Sequence, residues 1–375
     1  MPSMPQTLGL RTAAWLIGFT ALLYSPTSWA INAKLLPEGM LRARVYQNIA
    51  QANDYYTNGT HRQSLGQAGL DKLAANGVAS SSTNVYSIEN TARYKLYRTD
   101  VMLDYGVNKD LTMGLWLPFL SHDTHQSTTL NQDAGWGLLG AAQQTAITGA
   151  VTSLDNTEPE RAELGDIFLG FKQRIKGQNS DRFRFALGGG IRLPTGHVAD
   201  PTHSQDASTG DGQWDLDFWS WTDYQFSENF FINLQTRHTY GLPSYKQATF
   251  PSDTTQSARM KFQPGLLHHI QIEPQWTVDM GKWNLLPGIM VIYDHQFEGK
   301  TQSFDTASST YGGSMRTEAH SDWNRLMVRP MLGFQLFKMG IPAQFYLSYG
   351  HTVTGKNTAA INTAEIRLDW FFKGL

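Results

Sequence analysis

The chain has 375 residues, with 30 Lys+Arg against 32 Asp+Glu for a formal charge of −2, and it contains no cysteine. The balanced charge offers no basic excess for a nucleic-acid partner. The lack of Cys excludes disulfides, thiolate metal sites and a Cys nucleophile, and a mean hydropathy of −0.36 excludes a bundle of transmembrane helices.

At the N-terminus, residues 11–24 read RTAAWLIGFTALLY and lead to Ser28, Trp29 and Ala30. A positive residue, an apolar run too short to span a bilayer and a small-residue exit form a secretory signal peptide over 1–30. The expected mature chain, 31–375, is exported to the bacterial envelope and forms one domain.

From there on, period two dominates. Along 229–240, Phe230, Ile232, Leu234 and Tyr240 share one face, while Phe231, Asn233, Gln235 and Arg237 share the other. The same reading holds for 182–193 and for 365–372. The alternating segments number about twelve, at 39–50, 89–106, 110–122, 164–176, 181–195, 213–226, 229–243, 258–273, 282–298, 318–337, 341–353 and 359–372. Short polar turns follow the even-numbered segments, and mostly long stretches follow the odd ones. Such alternation is expected of a transmembrane antiparallel β-barrel, all-β, of about twelve strands with short periplasmic turns and long extracellular loops. The bacterial outer membrane is therefore the expected location.

In a barrel of this kind the apolar face meets lipid and the polar face lines the lumen. Tyr105, Trp214, Tyr224, Phe226, Tyr240, Tyr349 and Trp370, near strand ends, are expected in the interfacial girdles. Parity assigns Arg42, Arg44, Arg98, Asp100, Asp104, Lys172, Arg174, Arg182, Arg184, Arg192, Asp215, Asp217, Asp223, Arg237, Arg325, Arg329, Glu365, Arg367 and Asp369 to the lumen. Neighbouring segments are complementary: antiparallel pairing brings Arg192 towards Asp215 and Asp217, and Arg184 towards Asp223.

Two long loops carry helical patterns, at 65–78 and 138–151, which suit either surface helices or a segment folded into the mouth. Gly188-Gly-Gly190 lies inside a strand with no helix after it, so it is read as letting strands bend or giving room to a bulky neighbour across the lumen, rather than as a phosphate loop. His122 with His125, and the pair His268-His269, have spacings seen among metal ligands but no third ligand, and no metal or cofactor is expected. His320-Ser321-Asp322 holds the residue types of a nucleophilic triad, yet adjacent strand residues point to opposite faces. The stretch 321–325, SDWNR, loosely resembles a segment of outer-membrane phospholipases, which are twelve-stranded. No His-x-Ser pair on one strand face accompanies it, so no enzyme is expected.

The stretch GGGIRLPTG at 188–196, followed by TGDGQWDL at 209–216, resembles a bacterial envelope family labelled as proteins of the meta-pathway of phenol degradation, or as outer-membrane transporters. The resemblance covers about 164–243 and implies an outer-membrane barrel passing hydrophobic or aromatic compounds. The chain departs from the usual barrel ending, an aromatic last residue, by closing on WFFKGL at 370–375, which shifts the signal read by the barrel assembly machinery by three positions. The resulting expectation is a passive pore or facilitator for a small-molecule solute, seated in outer-membrane lipid. An outer-membrane lipid hydrolase, or a receptor or structural barrel, is the alternative.

Overall fold

In a computed structural model, the described residues are 32–75, 78–152, 156–157, 162–200, 208–250, 253–305, 308, 310–318 and 321–373. The expected signal peptide and His320 lie outside them. Twelve strands close an antiparallel barrel. They are β1 (Met40–Ala52), β2 (Tyr86–Asn108), β3 (Leu111–Gln132), β4 (Phe168–Lys176), β5 (Phe183–Arg192) and β6 (Asp215–Ser227). The circuit continues with β7 (Phe230–Gly241), β8 (Leu267–Trp276), β9 (Asn284–Gln296), β10 (Trp323–Gln335), β11 (Ala343–Lys356) and β12 (Asn362–Lys373).

Closure is made by β1, which pairs with β2 from Leu41↔Tyr105 to Ala52↔Tyr94 and with β12 from Met40↔Lys373 to Gln51↔Asn362. Both registers run without a shift, so the unusual C-terminal ending does not disturb the seam. Closure is what lipid demands, because an open edge would leave backbone N–H and C=O groups without partners in hydrocarbon.

One strand departs from the sequence reading. The span 258–273 was expected to be a single strand, but it is divided: Asp253–Gln263 pairs with Ser244–Phe250 in an extracellular hairpin, and β8 begins at Leu267. Pro264 and Gly265 separate the two. Proline cannot donate to a ladder, and a Cβ on Gly265 would lie 1.7 Å from the Phe297 carbonyl oxygen. The hairpin joins Lys300–Asp305 and Thr310–Thr317 in a four-stranded sheet of its own beyond the barrel.

Alternation sorts the side chains as expected. Leu187, Phe218, Leu234, Ile272, Leu347 and Ile366 are exposed on the outer wall, as are all seven expected girdle aromatics, from Trp370 at 39 % to Tyr349 at 54 %. The helical patterns fold as α1 (Leu65–Ala75) and α2 (Ala141–Thr152). Ile147 and Val151 of α2 are buried with Tyr86 and Ile88 of β2, and Leu70 of α1 packs against the same cluster. The two helices thus share one apolar anchor on the extracellular extension of β2.

Inside, the side chains are closely packed. Met102, Ala186, Trp221, Asp223, Asn233, Gln235 and Glu273 have no accessible surface at all. The glycine run makes this packing possible, as the sequence reading expected. A Cβ on Gly188 would lie 2.8 Å from the Trp221 ring, and one on Gly190 would lie 2.4 Å from the Phe168 ring. Gly190→Val is therefore expected to lower barrel stability by about 1–3 kcal/mol or more through overpacking. Urea unfolding in vesicles, followed by tryptophan fluorescence, checks this; an unchanged midpoint would show that Phe168 can move aside freely.

Candidate functional site

The lumen is built by parity. On β6, Asp215, Asp217, Trp219, Trp221 and Asp223 all face inward, and every one is buried. Charged and aromatic side chains therefore share one wall, in the order anion, aromatic, anion from the extracellular to the periplasmic end.

Towards the periplasmic side a chain of ionic contacts joins β1, β2 and β12, and separate pairs stand beside and above it. Arg42 reaches Asp104 at 2.6 Å, Arg44 lies 3.0 Å from Asp369 and 3.9 Å from Asp104, and Arg367 lies 3.5 Å from Asp369. Arg184 donates to Asp223 at 3.0 Å, and Asn233 donates to the same carboxylate at 2.7 Å. Arg174 lies 3.4 Å from Asp110 at the rim. Arg98 bonds Asp100 two residues along β2 at 2.8 Å, and Arg329 bonds Glu365 at 3.0 Å.

A second group stands at the extracellular ends. Arg192 lies 3.6 Å from Asp215 and 3.5 Å from Asp217, and Arg237 lies 3.8 Å from Asp217, which also accepts the Thr239 hydroxyl. Arg325 contacts Asp294 at 2.6 Å, and His269 bonds the other oxygen of Asp294 at 2.7 Å.

Aromatic rings lie between the two groups. Trp219 and Trp221 stack at 5.5 Å, Phe168 stands 6.5 Å from Trp219, and Trp116 stands 6.4 Å from Phe168. Cations cover their faces: Arg237 lies 5.3 Å from the Trp219 centroid, Lys172 4.6 Å from Trp221 and Arg98 5.0 Å from Trp116. Arg367 lies 3.6 Å from the Tyr346 ring. The ring quadrupole attracts the cation, so these contacts hold flat apolar faces and positive charge side by side.

Of the residues assigned to the lumen from sequence, Arg182 stands apart. It is exposed just before β5 starts at Phe183, where the chain is still turning. Parity was extended one residue too far, past the end of the ladder. Conversely, parity on β8 adds His269, Gln271, Glu273 and Gln275, all buried; the first three lay within the expected span 258–273 but were not assigned to the lumen. The inward aromatics Trp116, Phe168, Trp219 and Trp221 were also missed, although the two on β6 share the parity of its aspartates.

The other histidines are divided by the same rule. His122 is buried against the Tyr94 hydroxyl at 2.5 Å, while His125 is exposed. His268 turns outward, with its ring 4.5 Å from that of His238, away from the inward His269. Ser321 donates to the Glu318 carbonyl, and Asp322 pairs with Lys356.

The sequence motifs at 193–196 and 209–213 meet in a joint at the extracellular end of β4, β5 and β6. Asp166 accepts the Gly196 N–H at 2.9 Å and the Asp211 N–H at 3.2 Å. Thr195 donates to the Gly165 carbonyl and accepts the Ile167 N–H, and Thr209 donates to the Leu164 carbonyl. Gly196 and Gly210 touch backbone to backbone, with no room for a Cβ on either. Burial, with Asp215 and Asp166 nearby, pushes the Asp211 carboxyl well above its usual value. Gln213 bridges Asp211 and Asp215 with one amide at 3.0 Å to each.

Breaking one partner of a buried pair leaves the other charge uncompensated. Arg184→Ala is expected to cost about 3–5 kcal/mol, whereas the exposed Arg182→Ala should stay within about 0.5 kcal/mol of the parent. Unfolding midpoints of both variants in the same vesicles check the contrast, and equal midpoints would show that the Arg184–Asp223 pair does not hold the barrel.

The chain is similar in fold to the COG4313 outer membrane channel from Pseudomonas putida F1, with a TM-score of 0.57, 13 % identity, and coverage of 92 % of this chain and 99 % of that one. Lower similarity extends to the β domain of the Bordetella autotransporter BrkA, at TM-score 0.44 and 9 % identity, covering 89 % of this chain and 100 % of that one. The CymD monoaromatic hydrocarbon channel gives 0.37 and 10 %, covering 90 % and 89 %. No curated protein matches the chain. A closed barrel with an apolar outer wall and aromatic girdles places it in the bacterial outer membrane. The family model described as "Putative MetA-pathway of phenol degradation" matches residues 99–368, well over half of the chain, and the chain belongs to that family.

Proposed function

We propose that this chain is a passive outer-membrane channel for small aromatic solutes, which cross a lumen lined by paired charges and cation-covered rings. The observation that carries this reading is the inward row of Phe168, Trp219 and Trp221 with Lys172 and Arg237 on the ring faces. The rings are buried as they stand, so they offer stacking to a flat solute only once the side chains packed on them part, and the guanidinium and ammonium groups then offer charge-assisted bonds to a phenolic or carboxylic oxygen. A family described by phenol degradation fits that chemistry.

Apart from Lys172, which lies over Trp221, and Arg182, the nineteen residues assigned to the lumen from sequence fall into the two charged groups. Those of the periplasmic group and of the extracellular group set the charge at either end, and Arg182, in its turn, takes no part. An outer-membrane pore needs no energy source when the gradient supplies the drive, and selectivity follows from lumen diameter and lining groups.

Reconstituted in planar bilayers, the mature chain is expected to give discrete conductance steps, and a small phenolic solute should reduce the ionic current while it occupies the lumen. Trp219→Ala with Trp221→Ala should raise ionic conductance about twofold or more and weaken block by the aromatic solute. A folded barrel that stays silent would overturn the channel reading. Conducting variants with unchanged block would remove the tryptophans from the solute path.

A further inference from the structure

The chain does not enter β1 directly from the periplasm. Residues 32–39 run back into the lumen and cross its periplasmic end. Gly39, with φ +71°, and the bonds from the Gly39 N–H to the Gly106 carbonyl at 2.8 Å and from the Met40 N–H to the Pro37 carbonyl at 3.0 Å make the reversal. The passage is close: a Cβ on Gly106 would lie 2.1 Å from the Pro37 carbonyl oxygen and 2.9 Å from that of Leu36.

Once inside, the segment is held from several strands. The Ala33 N–H donates to Asp223 at 3.0 Å, and the Leu36 N–H donates to Thr112 at 3.2 Å. The Asn179 side chain grips Leu35 from both sides, accepting its N–H at 3.3 Å and donating to its carbonyl at 3.0 Å. Lys172, lying over Trp221, donates to the carbonyls of Asn32 and Lys34. Ala33, Leu35 and Leu36 are buried, with 3 %, 4 % and 7 % of their surface exposed, and the first two join the cluster of Trp116, Phe168, Trp219 and Trp221, while Lys34 and Pro37 are exposed.

We propose that residues 32–37 are a self-supplied gate: an extended lid, apolar towards the rings, that closes the periplasmic exit and swings out about Gly39 to let solute leave. The proposal rests on the channel reading above. A strand that served only to brace the wall would pair with a barrel edge through backbone ladders. This segment is instead bound across the lumen by side-chain tips, Asp223, Asn179, Thr112 and Lys172, which can release it one bond at a time without opening the barrel. Its two inward side chains cap the ring cluster from below, so a solute stacked there meets Ala33 and Leu35 before it meets the periplasm.

The absence of cysteine makes the test clean. Leu35→Cys with Asn179→Cys should form one reversible crosslink that lowers conductance and solute flux, both restored on reduction. Removal of residues 32–37 should raise steady conductance about tenfold, and Gly106→Val, which drives the segment away from the wall, should raise it in the same direction should the deletion fold poorly. Ala33→Cys should resist a membrane-impermeant maleimide that labels Lys34→Cys readily. A barrel that conducts alike when crosslinked, reduced, deleted or displaced overturns the gate and leaves the channel standing. A barrel silent in every state, with the crosslink formed, overturns the channel reading and the gate with it.

Discussion

The constraint on which the rest depends is that a backbone in hydrocarbon has no water to bond. Every N–H and C=O of the wall must find a neighbour, so the sheet must close on itself, here through the unbroken pairing of β1 with both β2 and β12. Closure fixes register, and register fixes parity. Once Leu234 and Ile272 face lipid, Gln235 and Glu273 face inward with no further choice. The charged lumen is therefore a geometric consequence of the wall as much as a chemical device. Charges forced inward must be compensated, and register supplies the partners: Arg184 opposes Asp223, and Arg192 opposes Asp215, as direct neighbours on β5 and β6. The contribution of such pairs, about 0.2–1 kcal/mol each at exposed cross-strand sites, says little about their importance when both members are buried.

A narrow barrel has a second problem, that of volume. Large rings can occupy the inside only where neighbouring strands give up side chains. The exchange is visible between β5 and its neighbours, where Gly188 and Gly190 yield the space taken by Trp221 and Phe168. Gly170 does the same for Phe168 from β4. The aromatic layer and the glycine run are one feature seen from two strands. Their coupling explains why the layer lies between the two charged groups: the glycines stand between Arg184 and Arg192 on β5, and Trp219 and Trp221 stand between Asp217 and Asp223 on β6.

Much of this was legible in the sequence, because period two is a physical rule that lipid enforces without exception along a wall. Eleven of the twelve expected segments correspond to barrel strands, and the eighth failed for an instructive reason. Residues 253–263 alternate just as a wall strand does, since an extracellular hairpin also has two faces. The dividing signal was Pro264-Gly265, a pair incompatible with a continuous ladder. Arg182 was misplaced because parity carries no information about where a strand stops. The inward tryptophans were overlooked because an aromatic residue in a barrel is first read as a girdle residue, although Trp219 and Trp221 alternate in step with Asp217 and Asp223. Residues 32–39 escaped notice altogether. A short segment held by the tips of distant side chains, such as Asp223 and Asn179, leaves no local pattern to read.

The family motif invites a different interpretation from the one its name suggests. Its glycines and threonines are consumed in building the joint around Asp166, where β3 and β4 cannot pair continuously. Their ladder covers Leu111–Trp116, and Pro118, which has no N–H to donate, stands just beyond it. The chain answers with Gly165, whose N–H bonds the Pro118 carbonyl at 2.7 Å, and with a loop tied down by Thr195, Gly196, Thr209 and Gly210. The glycines and threonines of the motif are thus spent on the fold rather than on a solute. The motif marks the place where a seam is repaired, and it constrains the extracellular ends of β5 and β6. The inward faces of those two strands, where ring and cation are set side by side, begin where the joint ends. Joint and lining are coupled at one side chain, because the Gln213 amide bonds both Asp211 of the joint and Asp215 of the lumen.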